Sequence, residues 1–185
     1  MKNIRRIYSF FRGEANAMVA EIDAKPALWD QITARQDTPG SPHRDTKAIF
    51  LRWAASQSVE AAFTEITAVD YPARAELPAC SGMLEMLTEL LPIYELGRVM
   101  VVNLLPGGHI DAHVDEGAYA AHYDRFHLVL EAGDGNLFRV GAESFSGKTG
   151  EFWWFNNKVD HEVWNRGTQR RLHMIIDAVT HRSLI

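Results

Sequence analysis

The stretch Pro106–Asp115, Pro-Gly-Gly-His-Ile-Asp-Ala-His-Val-Asp, sets two histidines and two aspartates at odd positions. Alternate residues of a β-strand share one face, so a regular strand here would send all four into the same space. Such groups crowd an inward face at high desolvation cost unless a positive charge receives them. Two histidines and one carboxylate on one face are the donor set of non-haem iron(II) oxygenases, which leave further metal positions open. A His-x-Asp pair on a strand supplies two of the three donors. Both His109-Ile-Asp111 and His113-Val-Asp115 fit, and periodicity does not separate them. The third donor is His161, opening the short strand His161-Glu-Val-Trp164 after the turn Asn156-Asn157. Ten residues further, Arg171 opens another strand, where a guanidinium can take a dicarboxylate by paired hydrogen bonds. An isolated His-x-Asp is most often a surface or structural pair. A β-rich setting, a downstream His and a following Arg, in that order, give the pattern its specificity.

The elements that must position these groups fall into two halves. Residues 14–24 and Pro26–Arg35 suit a helix, a break at Pro26 and a second short helix. Asp37 to Asp45 is a loop carrying Thr-Pro-Gly-Ser-Pro and ending in His43-Arg44-Asp45. Lys47–Trp53 alternates as a strand, Gln57–Ile66 reads as a helix, and Asp70-Tyr71-Pro72 is a break. Ser81–Leu91 is amphipathic, with Met83, Leu84, Leu87, Leu90 and Leu91 on one face and Ser81 as its cap. From Arg98 the chain becomes β-rich: Arg98–Leu105, His109–Val114, Arg125–Glu131, Asn136–Val140, Glu151–Phe155, His161–Asn165 and Leu172–Val179, separated by Gly- and Asn-rich turns. This spacing predicts a mainly β fold with flanking helices, a sandwich or jelly roll. We expect one domain, with residues 1–97 as a helical buttress carrying one or more added strands and residues 98–180 as the β core.

Composition sets outer bounds. The chain has 185 residues, enough for one sizeable core, with 46% hydrophobic and 23% charged residues. A net charge of −5 argues against affinity for a phosphate backbone, so nucleic acid is not an expected partner. The single cysteine, Cys80, allows no intrachain disulfide and suits a reducing, cytoplasmic setting, where it would be a small buried thiol. The apolar run Ile7–Phe11 is broken by Arg12 and Glu14, so no signal-peptide core is expected there, and no run is long enough to span a membrane.

The order Pro-Gly-x-His-x-x-x-His (Pro106 to His113), Arg-x-His-Leu (Arg125 to Leu128), His-Glu-Val-Trp (His161 to Trp164) and then Arg171-Leu172 resembles the aspartyl/asparaginyl β-hydroxylase family. The resemblance covers about residues 98–180. It implies an Fe(II)- and 2-oxoglutarate-dependent dioxygenase on a double-stranded β-helix, a cupin-like jelly roll. Residue by residue, it implies that His113 and His161 bind the metal, with Asp115 completing the triad. It further implies that Arg171 clamps the 2-oxoglutarate carboxylate, with Arg125 and His127 assisting, and it makes His109 a structural or neighbouring group. The animal enzyme of this family has glycine at the position of Asp115; the carboxylate here favours hydroxylation over halogenation. The family's small hydroxyl residue before the Pro-Gly turn is replaced by Val102.

The reaction so implied hydroxylates a C–H bond of an amino-acid or peptidyl side chain, using O2 and releasing succinate and CO2. His43 and Arg44 would contact substrate across the barrel mouth; otherwise they form an exposed charged loop. His173 shares the face of Arg171 by period two and would line the pocket. Two other readings stand beside this one: a cupin-type metalloenzyme without 2-oxoglutarate, and a non-catalytic barrel module binding a small ligand or peptide. The cupin signature of His-x-His with a later Glu is absent, and that reading leaves Arg171 without a role; the binding module would not require three converging ligands. Substrate identity and oligomeric state are open at this point.

Overall fold

A computed structural model describes residues 2–185. The chain runs β1 (Ile4–Tyr8), α1 (Arg12–Asp23), a 3-10 turn (Pro26–Leu28), α2 (Ala34–Asp37), β2 (Thr46–Ala54), α3 (Val59–Thr64), β3 (Ala68–Asp70), α4 (Pro72–Glu76) and α5 (Pro78–Leu90). It continues with β4 (Ile93–Leu104), β5 (His109–His113), α6 (Gly117–His122), β6 (Asp124–Glu131), β7 (Asn136–Val140), β8 (Glu143–Phe145), β9 (Phe152–Phe155), β10 (His161–Asn165) and β11 (Arg171–Thr180). One sheet has the order β1-β9-β6-β11-β4-β2-β3 and the other β5-β10-β7-β8. Every strand pair is antiparallel. Leu104 and Phe155 of the large sheet share one apolar cluster with Ile110, Phe138, Val140 and Val163 of the small sheet, so the two sheets pack face to face. The architecture is the expected mainly β double-stranded β-helix.

The other face of the large sheet is closed by helices. Leu172, Met174, Ile176 and Ala178 of β11 join Met18 and Ile22 of α1 and Met83, Leu84 and Leu87 of α5 in the main core. Each of the leucine, isoleucine and methionine side chains is worth roughly 1.5–3 kcal/mol of burial, which anchors the helices to the sheet. The alternate residues of β11, Arg171, His173, Ile175 and Asp177, are also buried, but toward the small sheet. A strand covered on both faces normally reads as a continuous apolar run. Three polar residues on the inner face of this central strand mark where stability yields to chemistry.

The N-terminal half departs from expectation at several points. Pro26–Arg35 is not one helix: it shortens to the 3-10 turn, and α2 starts only at Ala34. Asp30 breaks it, with φ of 54°. Its N–H donates to Ala48 O (3.0 Å) and its Oδ1 accepts from Ala48 N (3.0 Å), tying the segment to β2. Ser81 is no cap. The helix begins at Pro78, and the Ser81 hydroxyl donates to Arg74 O (2.7 Å). Strand β1 forms from part of the N-terminal apolar run and pairs with β9, while β4 starts at Ile93 rather than Arg98. Helix α6 was not foreseen. Gly117 opens it at φ of 92°, where a Cβ would lie 2.6 Å from Phe63 O, so α3 and α6 approach closely only because that residue is glycine.

Candidate active site

Three of the expected donors meet at one end of the barrel. His113 ends β5 and His161 begins β10, and the two are direct cross-strand partners. Their ring centroids lie 4.3 Å apart. Asp115 Oδ1 stands 3.8 Å from His113 Nε2 and 4.0 Å from His161 Nε2. One cation with bonds of about 2.0–2.2 Å reaches both atoms of each pair. His113, Asp115 and His161 are the group of potential ligands that the described residues bring together.

The backbone sets the tautomers. His113 Nδ1 donates to Asp111 O (2.7 Å) and His161 Nδ1 to Val159 O (3.0 Å), leaving each Nε2 lone pair to face the centre. Burial pushes His113 below its ordinary value and His161 down to about 4, so both imidazoles are neutral near pH 7. Burial opposes the charge of Asp115, but Arg125 and the two histidines outweigh it and hold the carboxyl below its usual range. Two neutral nitrogens and one carboxylate make a site matched to a hard-to-borderline dication such as Fe(II).

The premise that the four odd-numbered groups share one face does not hold. Pairing between β5 and β10 runs His113 to His161 and then Ile110 to Val163, so an extra residue enters β5. Such a bulge reverses the alternation. Ile110 therefore turns into the core, while His109 faces outward. It stacks on Trp164 (5.3 Å, 10°), and its Nε2 lies 2.8 Å from Glu162 Oε1. This bulge decides between the two His-x-Asp pairs in favour of the second.

Arg125 is not beside Arg171, contrary to its expected role. Its Nε and Nη2 donate to Asp177 Oδ1 (2.7 Å) and Oδ2 (2.9 Å), and its Nη1 donates to Asp115 Oδ2 (2.9 Å). Burial disfavours its charge, yet Asp115 and Asp177 raise its pKa overall. Asn157 Nδ2 also donates to Asp115 Oδ2 (3.2 Å). With Oδ2 occupied by both donors, Oδ1 is left for the centre. Asp177 in turn accepts from Tyr119 Oη (3.1 Å), which itself accepts from Arg98 N (2.7 Å). Asp177 and Asn157 were missed in the sequence. Asp177 had a signal, since it continues the period-two series of Arg171 and His173; Asn157 lay in what read only as a turn.

Arg171 is 2% exposed and has no ion-pair partner among the described residues. Its Nη2 donates to His173 Nδ1 (3.1 Å), and its Nε has no partner. His127 Nδ1 lies 3.2 Å from the same His173 nitrogen. Burial lowers Arg171 to about 9 and takes both histidines well below their ordinary value. The Nε2 atoms of His127 and His173 are buried and unpartnered. An uncompensated guanidinium with orphaned neighbours is an environment fitted to an incoming anion. His173 thus belongs with Arg171 and His127, not with a substrate cavity.

On the other side of the triad lies a cavity of about 390 Å³. His113, Asp115 and Arg125 line it together with His43, Arg35, Phe50, Trp53 and Met100. His43 stands edge-on to His113 with centroids 5.0 Å apart and lines the cavity. Arg44 is elsewhere: it is exposed and donates to Asp111 Oδ2 (3.0 Å) on the outer surface. Arg35 takes the place foreseen for Arg44, and no spacing in the sequence signalled it.

A family model described as Aspartyl/Asparaginyl beta-hydroxylase matches residues 14–181. Among solved structures, the chain resembles an oxidoreductase of the 2OG-Fe(II) oxygenase family from Burkholderia pseudomallei, at TM-score 0.57 and 16% identity over 88% of this chain and 78% of that one. It also resembles a prolyl-4-hydroxylase from Pseudomonas putida, at TM-score 0.54 and 13% identity over 97% and 93%. A Trichoplax adhaerens prolyl hydroxylase, solved with a hypoxia inducible factor peptide fragment, aligns at TM-score 0.62 and 10% identity over 96% and 84%. At these identities the likeness concerns the fold. Comparison with curated protein sequences gave no match.

Proposed function

Because the chain belongs to the aspartyl/asparaginyl β-hydroxylase family, we propose that it is an Fe(II)- and 2-oxoglutarate-dependent hydroxylase in which His113, Asp115 and His161 hold the metal. The observation that carries this reading is the convergence of two neutral imidazoles and one carboxylate beside a buried arginine that has no counter-ion. Iron(II) with 2-oxoglutarate and O2 supplies the oxidising chemistry, forming succinate and CO2 as a C–H bond of the substrate becomes an alcohol.

The protein's part is positioning. Val159 O and Asp111 O fix the histidine rings, and Arg125 with Asn157 turns Asp115 Oδ1 toward the metal. Arg171, with His127 and His173 beside it, would hold the far carboxylate of 2-oxoglutarate. The apolar walls on Phe138 and Phe155 keep water from the cosubstrate side. Val102, directly opposite His173 on β4, offers no hydroxyl to the cosubstrate. The substrate, an amino acid or a peptidyl side chain, enters by the cavity beside His43. Residues 1–97 and 98–180 act as one domain, since β1, β2 and β3 extend the large sheet. No helix among the described residues is long and apolar enough to cross a membrane. A cytoplasmic site of action is supported by the lone cysteine, which is buried.

The test is an anaerobic spectrum of the protein with iron(II), with and without 2-oxoglutarate. A visible charge-transfer band that needs both supports the reading. Metal retained without any response to 2-oxoglutarate leaves the cupin-type account, and no metal retained leaves the binding module.

A further inference from the structure

The cavity beside the triad has an unusual balance of charge and apolar wall. Of its three arginines, two are already engaged, Arg98 by backbone carbonyls through both terminal nitrogens and Arg125 by carboxylates. Arg98 donates to the carbonyls of Ala61 (2.9 Å), Ala62 (2.7 Å) and Glu65 (2.8 Å) and lies over the rings of Tyr119 and Trp53. Arg125 is held by Asp177 and Asp115. Arg35 differs. Like Arg98 it forms no ion pair among the described residues, but where Arg98 holds three carbonyls, the contacts of Arg35 are Met100 Sδ (3.3 Å) and His43. Its Nη2 lies 3.2 Å from Nδ1 and 3.1 Å from Nε2 of His43. No in-plane lone pair serves both nitrogens at once, so the guanidinium rests over the imidazole face instead of making a directed hydrogen bond. Burial, with Arg125 nearby, lowers Arg35 only to about 10, so it is charged at neutral pH.

The remaining wall is largely apolar. Ile32, Phe50, Trp53 and Met100 line the interior, and Val59, Phe63 and Val114, 40–49% exposed, form the rim. The one acid of the lining other than Asp115 is Glu116, exposed at the mouth. An aspartyl side chain brought here would carry its own carboxylate into the apolar interior, where the other two cations are already held, Arg98 by three carbonyls and Arg125 by two carboxylates. We propose that this cavity selects a small monocarboxylate with an apolar body, its carboxylate on Arg35 and its hydrocarbon against Phe50, Trp53 and Met100. The assignment deepens the hydroxylase reading and rests on it: the carbon presented to the metal would be aliphatic. A cavity of about 390 Å³ lies within the usual range for small-molecule sites of roughly 300–1,000 Å³.

Three probes on one scaffold separate the terms. N-acetyl-L-leucine has both carboxylate and apolar body, N-acetyl-L-aspartate has an acidic body, and N-acetyl-L-leucine amide lacks the carboxylate. Binding is measured by calorimetry to the protein loaded with manganese(II) and 2-oxoglutarate without oxygen. N-acetyl-L-leucine is expected to bind at least tenfold tighter than either other probe. Arg35→Met should abolish that preference and Arg35→Lys keep part of it, while both variants still bind manganese(II) and 2-oxoglutarate. Equal or tighter binding of N-acetyl-L-aspartate or of the amide overturns the proposal, as does an unchanged Arg35→Met. Failure of manganese(II) and 2-oxoglutarate to bind would sink the hydroxylase reading instead; N-acetyl-L-leucine is then titrated into the protein alone, and the same preference or its absence decides the cavity's class.

Discussion

Two arginine–histidine pairs flank the triad, and they are built in opposite ways. Arg171 and His173 sit two residues apart on β11, the central strand of the large sheet, clamped between β4 and β6. Arg35 and His43 sit on a four-residue helix and the loop after it. Neither guanidinium has a carboxylate partner among the described residues. The first is fixed by two ladders of backbone hydrogen bonds; the second rests on contacts with a sulfur and a ring face. A cosubstrate of unvarying shape can be met by a rigid strand, whereas a substrate pocket gains from walls on a segment that can change without disturbing the sheet.

The largest test of this contrast removes what both pairs share. His161→Ala should abolish iron binding and the charge-transfer band, and with them turnover, whichever pair is intact; retention of the band would break the assignment of the centre. Next comes Arg171→Met. We expect affinity for 2-oxoglutarate, measured by calorimetry, to fall about a hundredfold, as for loss of a charge-assisted bidentate contact. Without cosubstrate the same variant should melt at or above the temperature of the parent, because an uncompensated buried charge has been removed. Arg35→Met should leave 2-oxoglutarate affinity unchanged, so equal effects of the two variants would erase the distinction.

Asp177→Asn probes the other end of the same face of β11, where Asp177 holds Arg125 against Asp115. Asp177 is 1% exposed and holds Arg125 by two hydrogen bonds. Its neutralisation leaves Arg125 with Asp115 alone, at a cost of about 2 kcal/mol in denaturant unfolding. Iron affinity should fall as well, because Asp115 would then be drawn closer to Arg125.

A smaller effect follows from pH. Burial lowers the folded-state values of His43, His113, His127, His161 and His173 below 6.5. The unfolded chain therefore binds more protons below pH 6.5. Their contribution to stability is complete above that pH and is lost as pH falls, for His161 down to about 4. Each histidine adds a slope of up to about 1.4 kcal/mol per pH unit. Chemical denaturation of the metal-free protein between pH 7 and 5 should show the fall; a flat profile would mean that these rings are not buried neutral.

How much of this was legible in the sequence depended on which physical signal each part carried. Strands β4 to β7 and β9 to β11 were readable because strand-forming residues and Gly- or Asn-rich turns alternate there, whereas the three-residue β8 was too short to signal itself; the proposed ligands His113 and His161 were readable from motif order. Periodicity alone misled at β5, since an inserted residue flips a strand's faces without changing its composition. Arg125 shares a face with His127 as expected, but face does not tell which end of a barrel a side chain serves. Arg35 was illegible: its place in the cavity depends on Asp30 halting a helix and on β2 drawing that segment in, both long-range events.

The smallest expected effect sharpens the same contrast from outside. Arg44, one residue beyond His43, is 70% exposed at its side chain and pairs with Asp111, itself 49% exposed. Solvent screens such a pair, and exposed ion pairs of this kind are worth from nothing to about 1 kcal/mol. Arg44→Ala should therefore change stability by less than about 0.5 kcal/mol and leave affinity for N-acetyl-L-leucine unchanged. Arg35→Met, nine positions away in the same loop region, should remove that affinity. A substrate effect of Arg44→Ala comparable to that of Arg35→Met would show that the loop closes over the cavity on binding and brings its outer arginine inward. The loop-borne pair would then be a moving clamp, and the difference from the strand-borne pair would be larger than the resting structure displays.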